Sequence, residues 1–458
     1  MSFGENINQL IEYSENPHLQ IHPSWERVRL GDIADILNGA PWKSQYFNST
    51  DGVPMIRIRD VTSGATNTRY NGPTNDGPWV EPGDLLVGMD GDFNVRRWKS
   101  HKGLLNQRVC KISISKSLYS SRFIEYILPS YLAVINQATS SVTVKHLSSR
   151  TLNDLPIPLP PLAEQRRIVA KLDSLTARIT RARAELERAK RLQKQWFSKF
   201  LDSEFSCDGE LLRLGELAED VRYGTAQKCD YNPTLTPVLR IPNIASGNID
   251  TSDLKHSTFT EKEIKKLSLC SGDLLIVRSN GSIDLVGQSA VADTQVSGFL
   301  FAGYLIRIRL KNKEVTPYFV HYWLRSPQAR SAINAAAKST SGVNNINSEQ
   351  LKNLQIKIPS LSKQRIIVSR VIKAFSHADR LETEAERVLA LLDRLESSLL
   401  AKAFRGELVP QDPDDEPASV LLDRIQAERA AAPKPKRGRK QSTQDMPVPR
   451  KRQTEKHG

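Results

Sequence analysis

Two hydrophobic rhythms alternate along the chain. Short runs rich in Ile, Val and Leu, bounded by Gly, Pro, Asn and Asp, predict strands over 54–61, 84–87 and 109–114, and again over 238–244, 273–277 and 304–310. A helix is predicted behind each set, over 121–136 and 317–337. The period then lengthens. Apolar residues fall at Ile168, Leu172, Leu175, Ile179, Ala182, Leu186 and Ala189, and later at Ile367, Val371, Ala374, Ala378, Leu381, Ala385, Val388, Leu392, Leu395 and Leu399. Steps alternating between four and three mark a coiled-coil seam. Each seam follows a Pro-containing segment, 156–161 and Pro359, which ends the sheet and cannot lie inside the helix. The first long helix, read over 164–200, has 37 residues, or about 55 Å at about 1.5 Å per residue, and needs a partner for its apolar face.

The same plan is written twice. Arg29-Leu30-Gly31-Asp32-Ile33-Ala34-Asp35 answers to Arg213-Leu214-Gly215-Glu216-Leu217-Ala218-Glu219. The order is kept by Pro54-Met55-Ile56-Arg57-Ile58 with Pro237-Val238-Leu239-Arg240-Ile241, and by Gly83-Asp84-Leu85-Leu86 with Gly272-Asp273-Leu274-Leu275. Leu152 to Pro158 then parallels Leu351 to Lys357, and Gln165-Arg166-Arg167-Ile168-Val169 parallels Gln364-Arg365-Ile366-Ile367-Val368. Collinear matches whose offset drifts with loop length imply one scaffold used twice. The expected fold is α+β: two sheet-rich domains joined by two long antiparallel coiled-coil helices, an internal pseudo-twofold duplication. The boundaries read as an N-terminal segment 1–24, a first domain 25–160, a helix 161–203, a second domain 204–359, a second helix 360–409 and a C-terminal segment 410–458.

Charge points to a polyanionic partner. The net charge is +14, and half of it falls in a tail from Pro433 with nine basic and two acidic residues. That tail has too few large apolar residues to fold alone and reads as disordered. The first long helix carries eleven basic against four acidic residues, whereas the second offers Asp379, Glu382, Glu384, Glu386, Asp393 and Glu396, so the two match in charge as well as in seam. No run approaches the roughly 18 apolar residues of a membrane helix, and the start is not that of a signal peptide, so a cytoplasmic protein without a membrane partner is expected. Four scattered cysteines without a CxxC pair argue against a disulfide framework or a thiolate zinc site.

The sequence carries no familiar catalytic motif. The chain has no GxGxxG turn, no phosphate-binding GxxxxGK[ST] loop and no HExxH, and Asn232-Pro233 lacks the aromatic of an amine-methylating pocket. Glu263-Ile264-Lys265 downstream of Asp250 and Asp253 mimics a nuclease metal site, but in a Lys-rich stretch that reads as helix. No catalytic residue and no metal ligand is assigned. Side chains suited to phosphates and base edges are plentiful: Arg57, Arg59, Arg96, Arg97, Lys99, Lys102 and Lys145 in the first copy, and Arg240, Asn243, Arg278, Asn280 and Asn344 in the second. Arg and Lys fork onto guanine, and Asn pairs with adenine.

The run Leu155-Pro156-Ile157-Pro158-Leu159-Pro160-Pro161-Leu162-Ala163-Glu164-Gln165-Arg166 and the distal Ala403-Phe404-Arg405-Gly406-Glu407-Leu408-Val409-Pro410, set in the duplicated plan, resemble the specificity subunit of type I restriction-modification enzymes. The resemblance covers nearly the whole chain. It implies that 25–160 and 204–359 are target recognition domains, each reading half of a bipartite DNA site. The helices would be a ruler between the halves. They would also dock two methyltransferase subunits, with Glu164, Gln165, Arg166, Gln364 and Arg365 at the partner surface, and restriction/translocase subunits would join. The chain would be noncatalytic, with S-adenosylmethionine, ATP and Mg held by the partners. The second copy departs at Ser362-Lys363, where the acid of Glu164 is lost, a change expected to weaken the helix N-terminus. Two other classes stand beside this reading: a self-contained nuclease or methyltransferase with fused target recognition domains, and a coiled-coil interaction protein.

Overall fold

The structure, a computed structural model, describes residues 7–12, 14–74, 77–115, 117–138, 145–311, 314–340 and 342–431. The basic tail from Pro433 lies outside the described residues. The chain forms two compact units, one of residues 1–179 with 393–458 and one of 180–392. Two 44-residue helices, Leu162–Phe205 and Leu361–Phe404, each contribute to both units.

In the first unit, four antiparallel strands run in the order Ala34–Asn38, Val109–Ile114, Leu85–Gly88, Val95–Arg97. A second sheet, of five short strands, places Val53–Ile56 parallel to Gly103–Leu105. The helix Ser121–Ala138 lays Phe123, Ile127, Leu128 and Tyr131 into a core with Leu85, Val87 and Ile112. Ile168 and Leu172 of the first long helix and Ala403 and Phe404 of the second join that core. So do Ile11 and Leu19 of the N-terminal segment and Leu421 and Ile425 of the helix Ala418–Ala431. At about 1.5–3 kcal/mol for each fully buried large apolar side chain, these two terminal segments are integral to the unit.

The second unit repeats the main sheet as Ala218–Tyr223, Leu305–Leu310, Leu274–Val277, Ser289–Val291. Arg307 in its central strand is 1 % exposed, bonded to Asp220 and to the Ser268 carbonyl. Lys111 holds the matched place in the first unit and pairs with Asp84 at 3.1 Å.

Local chemistry ends two predicted strands early. The runs expected over 54–61 and 238–244 are strands only as far as Ile56 and Leu239, and turn into the helices Ile58–Ser63 and Ile241–Ile244. Asp60 accepts the Arg57 N–H at 2.8 Å, and Asn243 accepts that of Arg240 at 2.8 Å. These short polar side chains compete with the sheet ladder for the backbone. The helix expected over 317–337 breaks into Pro317–Leu324 and Pro327–Ala336, because Pro327 has no N–H to continue it and Ser326 caps the new start.

The long helices pack antiparallel. In the second unit Phe197 meets Phe375 edge-on at 4.5 Å, Gln193 donates to the Ala378 carbonyl at 2.9 Å, and Arg370 pairs with Glu204 at 3.3 Å. The seam on the second helix is covered at only some of the expected positions. Ala385, Leu392 and Leu399 are half-buried as expected, together with Leu389, whereas Leu381, Val388 and Leu395, also expected, are 57, 38 and 47 % exposed. On the first helix Ala189 is exposed and Lys190 and Gln193 are partly covered.

Candidate nucleic-acid interface and docking surfaces

Most of the cations expected at DNA are tied into the scaffold. The stretch Arg96-Arg97-Trp98-Lys99 is no open loop: Val95–Arg97 is a strand and Trp98 is fully buried. Arg96 donates to the Val61 and Thr62 carbonyls at 2.6 and 2.7 Å, at the end of the helix Ile58–Ser63. Arg97 bonds Glu125 at 2.7 Å and the Gly83 carbonyl at 2.8 Å. Arg59 donates to Thr68, Lys102 pairs with Glu81, and Lys145 donates to Asn136. Arg57 lies over the Phe47 ring, and Lys99 is exposed.

In the second unit Arg240 is paired with Asp253 at 2.9 Å. Asn243 is 2 % exposed and spends its amide on the Asp250 and Asp253 carbonyls, which corrects its assignment as a DNA contact: a buried amide so used cannot reach a base. Glu263, the acid of the nuclease-like fragment, accepts the Thr260 N–H and hydroxyl at 2.9 and 2.8 Å as a helix cap.

Arg278, Asn280 and Asn344 come together, and with them residues that the linear sequence had not singled out. In the first unit the Met89 N–H donates to the Arg108 carbonyl at 2.9 Å, and Leu147 N–H donates to the Met89 carbonyl at 2.7 Å. In the second unit Arg278 N–H donates to the Tyr304 carbonyl at 2.9 Å, and Ile346 N–H to the Arg278 carbonyl at 2.8 Å. Asp90 bridges His146 as Ser279 pairs with Asn345. The Asn38 amide donates to Ser149 at 3.2 Å, and Tyr223 hydroxyl bonds Ser348 at 3.1 Å. The two backbones are the same frame, while the side chains on it differ.

The expected partner-binding residues divide into two kinds. Gln165 and Gln364 are completely buried. Gln165 donates to the Pro160 carbonyl at 2.9 Å and accepts the Ser120 N–H at 2.8 Å; Gln364 donates to the Pro359 carbonyl at 2.9 Å and accepts the Thr316 N–H at 2.8 Å. They fasten each long helix to its sheet module, so their side chains do not face a partner. Arg166 and Arg365 are exposed.

Glu164 is also fully buried, accepting Trp25 Nε1–H at 3.0 Å and the Gln411 amide, while the neighbouring Arg167 forks onto Asp415 at 2.9 and 2.6 Å. Burial raises its pKa against the opposing bonds from Gln411 and Trp25. The loss of the acid in the second copy is thereby explained. Lys363 is exposed at the matched place, and Trp25 and Gln411, the groups that make Glu164 useful, belong to the first unit. The acid serves as a tie for the terminal segments more than as a helix-dipole charge.

Two modules of one design, each anchored to the long helices by the same glutamine and differing in the side chains on a common frame, define a duplicated recognition scaffold. The chain belongs to the type I restriction modification DNA specificity family: the model of that specificity domain matches residues 23–190 and 208–389. It is 38% identical to the type I restriction enzyme EcoBI specificity subunit of Escherichia coli, over 96% of this chain and 100% of that one. It is 28% identical to the EcoKI specificity subunit of E. coli strain K12, over 91% and 98% of the two chains. A solved chain from a type I R-M system shares the fold with a TM-score of 0.66 at 21% identity, covering 85% of this chain and 100% of that chain.

Proposed function

We propose that this chain is the noncatalytic DNA-recognition subunit of a type I restriction-modification complex. Each sheet module reads one half of a bipartite duplex site. The paired helices set the gap between the halves and dock two methyltransferase subunits, to which restriction/translocase subunits add. S-adenosylmethionine, ATP and Mg belong to those partners. The observation that carries this reading is the doubled frame with exchanged side chains: one scaffold presenting two chemistries is what a two-part target requires.

Apolar side chains left open on the long helices support the docking role. In the second unit Leu192 and Trp196 on the first helix and Leu381, Val388 and Leu391 on the second are exposed at helical spacing. An apolar stripe outside the seam is where a further helix packs.

The test is a map of methylated bases across the genome of a host that lacks other methyltransferases. Expression of this chain with its methyltransferase subunit should mark one interrupted, two-part motif, and neither protein alone should mark any. An uninterrupted motif, or methylation by this chain alone, would contradict the proposal.

A further inference from the structure

Within each unit, several positions that do structural work keep their residue. Gln165 and Gln364 both tie helix to sheet. Asp84 accepts the Glu81 N–H at 2.7 Å as Asp273 accepts that of Cys270 at 2.8 Å. The Gly39 N–H donates to the Val109 carbonyl at 3.0 Å and the Gly224 N–H to that of Leu305 at 3.3 Å.

The frame around Met89 and Arg278 behaves in the opposite way. Its backbone bonds match pair for pair, yet Asn38 is replaced by Tyr223, Arg108 by Tyr304 and His146 by Asn345. These side chains are largely open: Arg108 is 51 % and His146 48 % exposed along their side chains, and Tyr304 is 64 % exposed. A frame that tolerates a change of chemical class at each exposed position does not use those side chains to hold itself together.

They are nevertheless pre-oriented. In the first unit Asp90 holds both Arg108, at 3.3 Å, and His146, at 2.7 Å. In the second the Arg278 guanidinium lies 4.6 Å from the Tyr223 ring centroid, and its Nε donates to Asn345 at 3.4 Å. Among the described residues its two Nη groups have no protein acceptor. A planar fork fixed on its far edge and open on its near edge fits the O6 and N7 acceptors of guanine.

We propose that this doubled frame is the base-reading surface of each unit, with Arg108, Asp90 and His146 reading in the first and Arg278, Tyr304 and Asn345 in the second. Arg278 is the guanine reader of the second unit. The assignment rests on the DNA-recognition reading given above and narrows it to named groups.

The test uses this chain in complex with its methyltransferase subunit, and a library of randomised duplex DNA as the probe. The wild-type complex should select a two-part motif. Arg278→Gln should relax the preference at one base pair by about 5- to 150-fold, since it removes the cation that meets O6 and N7, and Arg278→Lys should relax it in part, since an ammonium keeps the charge without the planar fork. The other half-site and the affinity for unrelated duplex should stay unchanged. A uniform loss over all sequences that lysine restores would make Arg278 a phosphate contact and overturn the proposal, as would unchanged selection by both variants. If either variant melts early, the exposed Tyr304→Ala replaces it, and an unaltered motif in that variant is likewise fatal. A wild-type complex that selects no sequence would instead sink the DNA-recognition reading itself.

Discussion

His321 is 3 % exposed against Ser289, whose hydroxyl lies 3.0 Å from its Nδ1, and burial with Arg325 nearby lowers its pKa from 6.5 to about 3. The folded chain holds the neutral ring, whereas an unfolded histidine takes up a proton below about pH 6.5. The unfolded state therefore binds more protons between these two values. Stability is fully present above pH 6.5 and declines as the pH falls, by about 1.4 kcal/mol per unit from this group. Denaturant melts from pH 7 to pH 5 should show that slope in the wild type and a flatter one in His321→Gln. Glu164 offers a second test. Glu164→Ala leaves the buried Trp25 N–H without its acceptor, while the exposed Gln411 amide keeps the Gly406 carbonyl, and should cost about 1–3 kcal/mol, against about 0.5 or less for Lys363→Ala at the exposed matched position. Melts of the two variants against wild type check the contrast. Little of this was legible in the sequence. A run such as Arg96-Arg97-Trp98-Lys99 states its charge, but whether each guanidinium caps a helix, pairs with Glu125 or meets solvent depends on residues tens of positions away.

At the scale of elements the long helices were legible, because a heptad pattern between proline stops needs no tertiary information. Their exact seam was not. Leu381 and Val388 obey the repeat as well as Ala385 and Leu392 do, and only the antiparallel partner decides which stripe is covered. Strand ends failed for the opposite reason, since a local bond from Asp60 or Asn243 overrode a run of apolar residues. The observed register, with Gln193 against Ala378 and Phe197 against Phe375, brings the region of Glu185 opposite that of Glu386. Seven residues inserted after Glu185 alone leave about 10 Å of seam unmatched and should destabilise the pair. Seven residues after each of the two positions restore the match. With about 3.4 Å per base pair of duplex, the doubly extended chain should prefer a gap about three base pairs longer, as read by methylation of substrates with varied spacing. An unchanged preferred gap in a well-folded double insertion would remove the helices as the ruler.

Across the whole molecule, five collinear matches made the duplication plain, and the family resemblance made the role of the modules an expectation. What could not be read was how the chain closes on itself. Trp25, Glu164 and Gln411 are separated by 139 and 247 positions, and no periodicity links them, yet they meet at one buried carboxylate. The candidate reading surface was hidden in the same way, because Asn38, Asp90, Arg108 and His146 come from four separate stretches brought together by strand pairing. The central claim is that two modules on one scaffold read their half-sites independently. Replacing residues 25–160 with the corresponding domain of another family member, and mapping the methylated motif of the resulting complex, tests it most directly. One half of the motif should change and the other half should remain. A motif changed in both halves, or in neither, from a folded and active complex would contradict the claim.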